Sequence, residues 1–299
     1  MAPSIIRPPA RLAVIGLGNM GLPMSACLAK AGFDVTGFDL SAEARERFAR
    51  AGLKAAGDAA SAVADAVGVI TILPNGKIVR GAIDEMRPHL RPGTVIIDMS
   101  SSEPLGTRAL GEAMIAAGFP FIDAPVSGGV KRAVDGSLAI MAGGDGATID
   151  RVEPVLAAMG RSIFRTGPLG SGHAVKALNN YVSAAGLVAA AEALAVGAKF
   201  GIDPGIITDV LNASSGRNNT TEIKLKQFMI PENYTSGFSL GLMAKDIRTA
   251  DDLGHALGVA VPLADKVAGL WNEAEREIGG AIDHTAYGRY LAMLKPAKL

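Results

Sequence analysis

One lysine and two asparagines lie close together in an alanine-rich stretch, and their types suit chemistry at an oxygen atom. Lys176, Asn179 and Asn180 occupy positions i, i+3 and i+4, which share one face if the stretch is helical. An ammonium and a carboxamide on one face can hold a hydroxyl or carbonyl oxygen during hydride transfer, and the lysine can take or return its proton. Partial burial suits that role because it disfavours the charged ammonium. Taken by itself, however, such a lysine is more often a solvated residue on a helix surface.

Three consecutive residues, Ser127, Gly128 and Gly129, follow a short apolar run and have the types of an anion site. The two glycines allow successive backbone N–H groups to point into one concavity, and the serine hydroxyl adds a further donor. Such a nest suits a carboxylate. The alternative is a plain strand-to-loop turn, which the residue types alone favour.

A glycine-rich loop lies near the N-terminus, between an apolar run that predicts a strand and a segment that predicts a helix. Its first glycine permits a tight turn, its second lets a pyrophosphate approach the backbone, and its third lets helix and strand pack closely. Asp39 ends the second predicted strand, where a carboxylate can bind the adenosine ribose and repel a 2′-phosphate. These features predict a site for NAD, with NADP still possible because Arg45 or Arg47 could turn toward a phosphate. The loop consists of Gly16, Leu17, Gly18, Asn19, Met20 and Gly21.

The elements that must position these residues follow from the hydrophobic pattern. Between residues 11 and 166, short apolar runs alternate with helical segments, which is typical of βαβ units. From residue 167 onward the pattern is helical throughout. We therefore predict an α/β fold, in which a Rossmann-type, doubly wound, mainly parallel sheet over 11–166 is followed by an all-α domain over 167–299. A long interdomain helix leads that second domain, and residues 1–10 form a frayed, Pro-rich extension.

Two further groups of residues end predicted strands. Leu73, Pro74 and Asn75 follow one strand, and Ser101 lies in the loop after the next. In an open α/β sheet, ligands lie beyond the carboxyl ends of the strands. We therefore expect these residues to flank the nicotinamide ribose.

The composition of the 299-residue chain excludes several other classes of protein. Hydrophobic residues make up 49% and charged residues 19%, which is too apolar for a disordered chain. The 29 basic and 29 acidic residues balance, so the chain has no excess of basic residues that would indicate binding to nucleic acid or to an anionic membrane. A single cysteine, Cys27, excludes a disulfide framework, and the histidines lack metal-ligand spacing, so we expect no metal. Without a run of 18 apolar, uncharged residues, we expect no membrane span and a cytoplasmic protein.

Four motifs, in order along the chain, resemble those of the β-hydroxyacid dehydrogenase family, which includes 3-hydroxyisobutyrate dehydrogenase and tartronate semialdehyde reductase. The motifs are the glycine loop continued to Met24, residues 123–129, residues 170–180, and the pair Lys245-Asp246. The resemblance covers residues 11–295. It implies a homodimer or homotetramer, to which the helical domain contributes.

The resemblance also assigns roles to the residues singled out above. Lys176 matches the family's catalytic lysine, which acts as general acid and base, and Asn180 matches the asparagine that orients the substrate. The loop 127–129 matches the loop that holds the substrate carboxylate. We place Asn179 with the substrate because it shares their helix face.

Cofactor contacts are implied in the same way. Leu73, Pro74 and the position of Ser101 match family residues near the cofactor. Lys245 matches a family lysine near the nicotinamide and substrate, although a surface lysine paired with its acidic neighbour is the alternative. The chain departs from the pattern at Ile78, where relatives often offer an asparagine, so that contact is in doubt.

Together these features imply an NAD(P)-dependent oxidoreductase that interconverts a small β-hydroxyacid and its semialdehyde or ketone by hydride transfer. One alternative is a reductase of tartronate or another semialdehyde. An imine reductase of the same architecture is a poorer match because such relatives commonly replace the residue at Lys176. The 6-phosphogluconate branch fits poorly because the helical half is short and lacks a basic cluster. A non-catalytic dinucleotide-binding scaffold would have lost Lys176, Asn180 and Ser127, which are all present.

For two polar features of the helical half, the sequence leaves more than one interpretation open. Arg217 could reach an acid group of the substrate or could be a solvated loop arginine. The run Asn218, Asn219 and Thr220 could shape the distal end of the substrate pocket.

Overall fold

The structure is a computed structural model that describes residues 4–294. Contacts divide the chain into two compact units, Met1–Lys176 and Ala177–Leu299. The first unit is an α/β domain and the second is built from helices, in agreement with the predicted fold class.

The division between the units falls later than the change in sequence pattern at residue 166. The cause is the start of the long helix, which is hydrogen-bonded to the first unit. There the carboxylate of Asp123 accepts hydrogen bonds from the backbone N–H groups of Gly170 and His173. The first turn of the helix therefore groups with the α/β domain.

Among the described residues, the first unit forms one sheet of nine strands. The strands are β1 (Arg11–Ile15), β2 (Asp34–Phe38), β3 (Lys54–Ala55), β4 (Gly68–Thr71), β5 (Val95–Asp98), β6 (Phe121–Asp123), β7 (Val126–Ser127), β8 (Leu138–Gly143) and β9 (Gly160–Gly167). The order β3-β2-β1-β4-β5-β6 is parallel throughout. Beyond β6, β8 runs antiparallel to β6 and β7 and parallel to β9. Chain order switches direction between β1 and β4, where open sheets of this kind bind ligands.

Helices cover both faces of the sheet, as the side chains of β1 demonstrate. Leu12 and Val14 belong to one hydrophobic core, whereas Ala13 and Ile15 belong to a second core on the opposite face. Strands buried on both faces are typical of parallel sheets. The helices of this unit are α1 (Gly21–Lys30), α2 (Ala42–Arg50), α3 (Ala59–Val63), α4 (Gly76–Met86), α5 (Pro104–Ala116), α6 (Gly129–Val134) and α7 (Gly146–Ala157), and a 3-10 turn spans Arg87–His89.

The N-terminal segment differs from its prediction as a frayed extension over residues 1–10. Residues 1–3 of that segment lie outside the described part of the chain. Ile6, however, is buried in a hydrophobic core, and its N–H donates to the carbonyl oxygen of Arg151 at 2.8 Å. Ala10 packs against the same core, and its carbonyl oxygen accepts from the N–H of Asp34 at 3.1 Å. These apolar contacts and backbone hydrogen bonds attach the segment to the first unit.

The second unit packs its helices around three aromatic side chains. Trp271 and Tyr287 have ring centroids 4.9 Å apart, and Tyr287 and Tyr290 are 5.5 Å apart. All three are buried and share one core with residues of the long helix. The elements are α8 (Ser171–Phe200), which begins in the first unit, α9 (Pro204–Ala213), a π-helix (Thr220–Met229), α10 (Leu240–Ala256), α11 (Pro262–Ile278), a 3-10 turn (His284–Ala286) and α12 (Tyr287–Met293).

Helix α8 is more apolar than the sequence patterns suggested. By length and composition it could cross a membrane, with a mean hydropathy of 1.6 over its best window, of which 33% is buried. The core helix of a globular unit has the same properties, and Ala184, Leu187 and Val188 of α8 lie in the core of the second unit. One such helix is therefore weak support for a membrane span.

Candidate active site

The glycine loop joins β1 to α1 in the shape that the sequence predicts. Gly16 has φ +100°, and a Cβ there would lie 2.2 Å from the carbonyl oxygen of Ile72. A Cβ on Gly21 would lie 1.9 Å from the carbonyl oxygen of Gly16, whereas a Cβ on Gly18 would meet nothing within 4 Å. The N-terminus of α1 has no side-chain cap, so its N–H groups suit a phosphate. The loop therefore fits a dinucleotide, with open space at the glycine that a pyrophosphate approaches.

Asp39 at the end of β2 holds this loop directly. Its Oδ2 accepts a hydrogen bond from the backbone N–H of Leu17 at 2.7 Å, and its Oδ1 accepts from Ser41 at 2.8 Å. Arg45 turns back toward the same strand end and donates to the carbonyl oxygens of Asp39 and Leu40, at 2.6 and 3.1 Å. Both the carboxylate expected to contact a ribose and a guanidinium able to meet a phosphate therefore lie at this strand end.

The loops after β4 and β5 are hydrogen-bonded to each other. The N–H of Leu73 donates to Ser100 Oγ at 2.9 Å, and Ser101 follows in the same loop. Asn75 has a local role as well, because its Oδ1 accepts from Ile78 N at 3.0 Å and caps α4. The predicted cofactor residues Leu73, Pro74, Asn75 and Ser101 therefore sit at the carboxyl ends of neighbouring strands, where the sequence placed them.

The Ser127 loop lies where β7 meets α6. Gly128 has φ +135° and Gly129 has φ +67°, two successive conformations that strongly favour glycine. The loop is therefore a turn that depends on glycine, and this geometry is compatible both with the predicted anion site and with the alternative of a plain strand-to-loop turn. The side chain of Arg132, which sequence reasoning missed, folds over Gly128, since a Cβ there would lie 2.5 Å from its Cδ. The available signal in the sequence was a basic residue three and four positions after the two glycines.

Lys176 lies in α8, whose start is fixed by buried groups of the α/β unit. The Asp123 carboxylate accepts from Gly170 N at 2.7 Å and from His173 N at 2.8 Å. Burial raises the pKa of Asp123, and the adjacent His173 opposes that shift. Lys176 itself is half-buried.

In the second unit, four polar residues of α8 and α10 form a continuous chain of contacts. Asn179 Nδ2 donates to Asn180 Oδ1 at 3.1 Å, and Asn180 Nδ2 donates to Asp246 Oδ2 at 2.6 Å. Lys245 Nζ lies 3.1 Å from Asp246 Oδ1. Asp246 is 4% exposed. It was not predicted as a site residue, although it belongs to the Lys245 motif, and here it fixes the amide of Asn180.

The polar residues that precede the π-helix have local partners. Arg217 is exposed, and its Nε lies 3.6 Å from Glu222 Oε1, which supports its interpretation as a solvated loop arginine. Asn218 Oδ1 accepts from the N–H groups of Thr220 and Thr221 at 2.8 and 3.2 Å. These contacts cap the start of the π-helix. They give Asn218 a structural role that needs no ligand.

One charged cluster lies apart from these residues, on α10 and α11. Asp251, His255 and Asp265 place one ligand atom each within 4.8 Å of one another. His255 Nε2 lies 2.6 Å from Asp265 Oδ1, and that contact raises the pKa of His255. The sequence analysis did not predict this cluster, although the four-residue spacing of Asp251 and His255 places them on one face of a helix. The exposed ion pair accounts for the arrangement.

Comparison with known families agrees with the two units. Residues 11–167 match the NAD-binding domain of 6-phosphogluconate dehydrogenase. Residues 170–291 match the family described as the NAD-binding domain of NADP-dependent 3-hydroxyisobutyrate dehydrogenase. Together these matches span nearly all of the described chain.

Individual relatives agree with the families. An NAD-dependent L-serine dehydrogenase of Pseudomonas aeruginosa is 35% identical, over 87% of this chain and 91% of the relative. A probable 3-hydroxyisobutyrate dehydrogenase of Mycobacterium tuberculosis is 37% identical, over 87% of this chain and 90% of the relative. The solved structure of a Mycobacterium tuberculosis 3-hydroxyisobutyrate dehydrogenase with L-serine has a TM-score of 0.89 and 35% identity, and covers 94% of this chain and 99% of that one. An imine reductase of Myxococcus stipitatus, at 18% identity and a TM-score of 0.65, shares the fold alone. The chain therefore belongs to the β-hydroxyacid dehydrogenases, a family of NAD(P)-dependent oxidoreductases.

Proposed function

We propose that the protein oxidises a small β-hydroxyacid to its semialdehyde or ketone, or runs the reverse reduction, with Lys176 as general acid and base. The observation that carries this proposal is the placement of Lys176. It is a half-buried lysine in a helix whose first turn is bonded to Asp123, at the carboxyl end of β6. That edge of the sheet is where cofactors bind in open α/β folds.

Each remaining residue has a separate task in this proposal. The loop of Ser127, Gly128 and Gly129 binds the substrate carboxylate through backbone N–H groups and a hydroxyl. Asn180 and Asn179 orient the reacting oxygen, and Asp246 holds the Asn180 amide so that its second N–H remains available. Lys245 is assigned to the cofactor side by family resemblance.

The reaction conserves atoms and charge in a simple way. A nicotinamide dinucleotide, which the glycine loop and Asp39 would hold, would supply the hydride chemistry at the carbon that carries the hydroxyl group. Lys176 takes the hydroxyl proton as the hydride leaves and returns it in reduction, so that no alkoxide accumulates. The loop at Ser127 keeps the carboxylate fixed while this occurs.

The substrate class follows from a feature shared by named relatives. L-serine, 3-hydroxyisobutyrate and 2-(hydroxymethyl)glutarate, the substrates named for three of them, each carry a hydroxymethyl group on the carbon next to a carboxylate. We infer that this chain acts on a compound of that class. The cytoplasmic location expected from the sequence stays a prediction.

The test is a panel of such hydroxyacids, assayed by nicotinamide absorbance with NAD and NADP. We expect turnover with at least one hydroxymethyl carboxylate and none with the corresponding alcohol that lacks the carboxylate. Turnover of cyclic imines but not of hydroxyacids would favour the imine reductase alternative. Nucleotide binding without any turnover would favour the scaffold.

Cofactor choice gives the first prediction. Asp39→Asn should raise kcat/KM with NADP by roughly tenfold, because removing a carboxylate beside the 2′-phosphate removes about 1–2 kcal/mol of repulsion. Asparagine keeps the shape of the side chain but only one acceptor oxygen, so it retains one of the hydrogen bonds from Leu17 and Ser41 and loses the other. The melting temperature is therefore measured beside kcat/KM, to separate a change in cofactor preference from a weakened loop. Glu43→Gln in α2, also a carboxylate, is the control and should leave cofactor preference unchanged. Equal or better efficiency with NADP in the unmodified protein would contradict this account.

We further propose a homodimer or homotetramer that uses the helical unit. Large apolar side chains of α8 and α9, among them Val182, Phe200 and Val210, are more than half exposed, and exposed apolar patches mark interaction surfaces. Replacing Phe200 and Val210 by glutamate should lower the mass measured by light scattering toward that of one chain. An unchanged mass would remove this face from the interface.

A further inference from the structure

A buried cluster of polar side chains lies at the carboxyl ends of β4, β5 and β6, and the roles proposed so far leave most of it unused. Each member is at most 4% exposed. Buried polar groups cost free energy unless they are hydrogen-bonded, and here they bond mainly to one another or to backbone. The members are Thr71, Asp98, Ser100, Thr107, Asp123 and His173.

Asp123 clamps the beginning of α8 onto the sheet. Its two carboxylate oxygens accept separately from Gly170 N and His173 N, so it satisfies backbone N–H groups that a helix start otherwise leaves open. Glycine backbone packs closely against both oxygens of this carboxylate. A Cβ on Gly172 would lie 2.8 Å from Asp123 Oδ2, and a Cβ on Gly143 would lie 2.6 Å from Asp123 Oδ1.

His173 connects that helix start to two other elements through its ring. Its Nε2 lies 3.1 Å from the carbonyl oxygen of Ser100, which can only accept, so Nε2 carries the proton. Its Nδ1 lies 2.9 Å from Thr107 Oγ1 of α5, and in the neutral ring the hydroxyl donates to it. A carboxylate lies near each ring nitrogen. Asp98 Oδ2 is 3.9 Å from Nε2, and Asp123 Oδ2 is 3.8 Å from Nδ1.

Ser100 extends the connection to the proposed cofactor loop. While its carbonyl accepts from His173, its hydroxyl accepts from the N–H of Leu73 at 2.9 Å. A direct path of hydrogen bonds therefore runs from the loop after β4, through Ser100, to the imidazole in the first turn of α8.

We propose that His173 is a positioning residue that fixes Lys176 relative to the loop after β4. The two residues are three positions apart in one continuous helix, so a shift of the imidazole moves the Lys176 backbone with it. A displacement of about 1 Å in a reacting group can lower the rate about 100-fold. This inference rests on the proposed function, in which Lys176 transfers the proton.

The test compares two substitutions of the imidazole. His173→Leu removes both ring hydrogen bonds, whereas the amide of His173→Gln can still donate toward Ser100. We expect kcat to fall about 10–100-fold in the leucine variant, KM and NAD Kd to change less than about threefold, and glutamine to restore most of kcat. The pH profile of kcat should keep its shape in both, because Lys176 is still the group that moves the proton. If the leucine variant does not fold, Thr107→Val loosens the same imidazole from its other side by removing the partner of Nδ1, and kcat should again fall more than KM or NAD Kd changes.

The matched control is His284→Leu, which removes the buried histidine of the second unit, 3% exposed. It should lower thermal stability without lowering kcat of the folded enzyme.

Unchanged kcat in folded His173→Leu would overturn the positioning role. Equal losses of kcat, NAD affinity and stability in the leucine and glutamine variants would overturn it as well. A lost limb of the pH profile would overturn it in favour of direct proton transfer by His173. If Lys176→Ala also kept its turnover in these assays, the proposed function itself would have failed.

Discussion

Replacing Lys176 by alanine should lower kcat by about 10²–10⁴-fold and leave the affinity for NAD almost unchanged. General acid–base groups contribute about this factor, whereas the glycine loop and Asp39, which we expect to bind the nucleotide, do not involve this residue. The measurement is kcat with the best hydroxyacid, together with NAD Kd from fluorescence titration. Lys199→Ala, at an exposed lysine in the last turn of the same helix, is the control and should retain both values.

Lys176→Arg separates proton transfer from charge. Arginine keeps a positive group at the site but does not give up its proton at ordinary pH, so it cannot act as the base. We therefore expect it to fail as completely as alanine in alcohol oxidation. In the unmodified enzyme, the oxidation rate should rise with pH to a plateau, as the basic form of the lysine becomes populated. Near-normal turnover in either variant would remove Lys176 from the mechanism.

Substitutions at Gly18 and Gly21 should have opposite signatures, although both glycines belong to one loop. A methyl group on Gly18 meets nothing within 4 Å in the free protein, so Gly18→Ala should fold normally. The methyl would occupy the space through which the pyrophosphate approaches, and NAD Kd should rise by roughly 10–100-fold, equivalent to about 1.4–2.8 kcal/mol. Calorimetry for the melting temperature and titration for NAD Kd distinguish the two effects.

Gly21→Ala should instead destabilise the fold. Helix propensity alone predicts that alanine in α1 stabilises by about 1 kcal/mol, but the added Cβ would lie 1.9 Å from the carbonyl oxygen of Gly16. The clash is with backbone, so we expect the melting temperature to fall. Gly81→Ala in α4 is the matched control, because nothing lies within 4 Å of its Cβ, and it should raise the melting temperature. A stabilising effect at Gly21 would show that the loop relaxes freely.

The sequence by itself determined the fold class and the location of the nucleotide loop. Both depend on local information. The alternation of short apolar runs with helical segments specifies βαβ units, and the spacing of Gly16, Gly18 and Gly21 specifies a strand–turn–helix. The positive φ at Gly16 and at Gly128 is likewise a local demand that glycine meets. Family resemblance, rather than residue type, singled out Lys176 and Asn180 as catalytic, since a lysine in a helix is usually just solvated.

Only the tertiary structure decided which distant residues hold these groups in place. Asp123 and His173 are 50 positions apart in the chain, and His173 meets Thr107 and Ser100 across 66 and 73 positions. No sequence period records which of these elements will be neighbours. The same holds for Asp246, which meets Asn180 from another helix, and for Ile6, whose burial attaches a segment expected to fray. Local propensity and pattern act over a few residues, whereas burial and hydrogen-bond partners depend on the packing of whole elements. For that reason the sequence predicts candidate site residues more readily than the residues that support them.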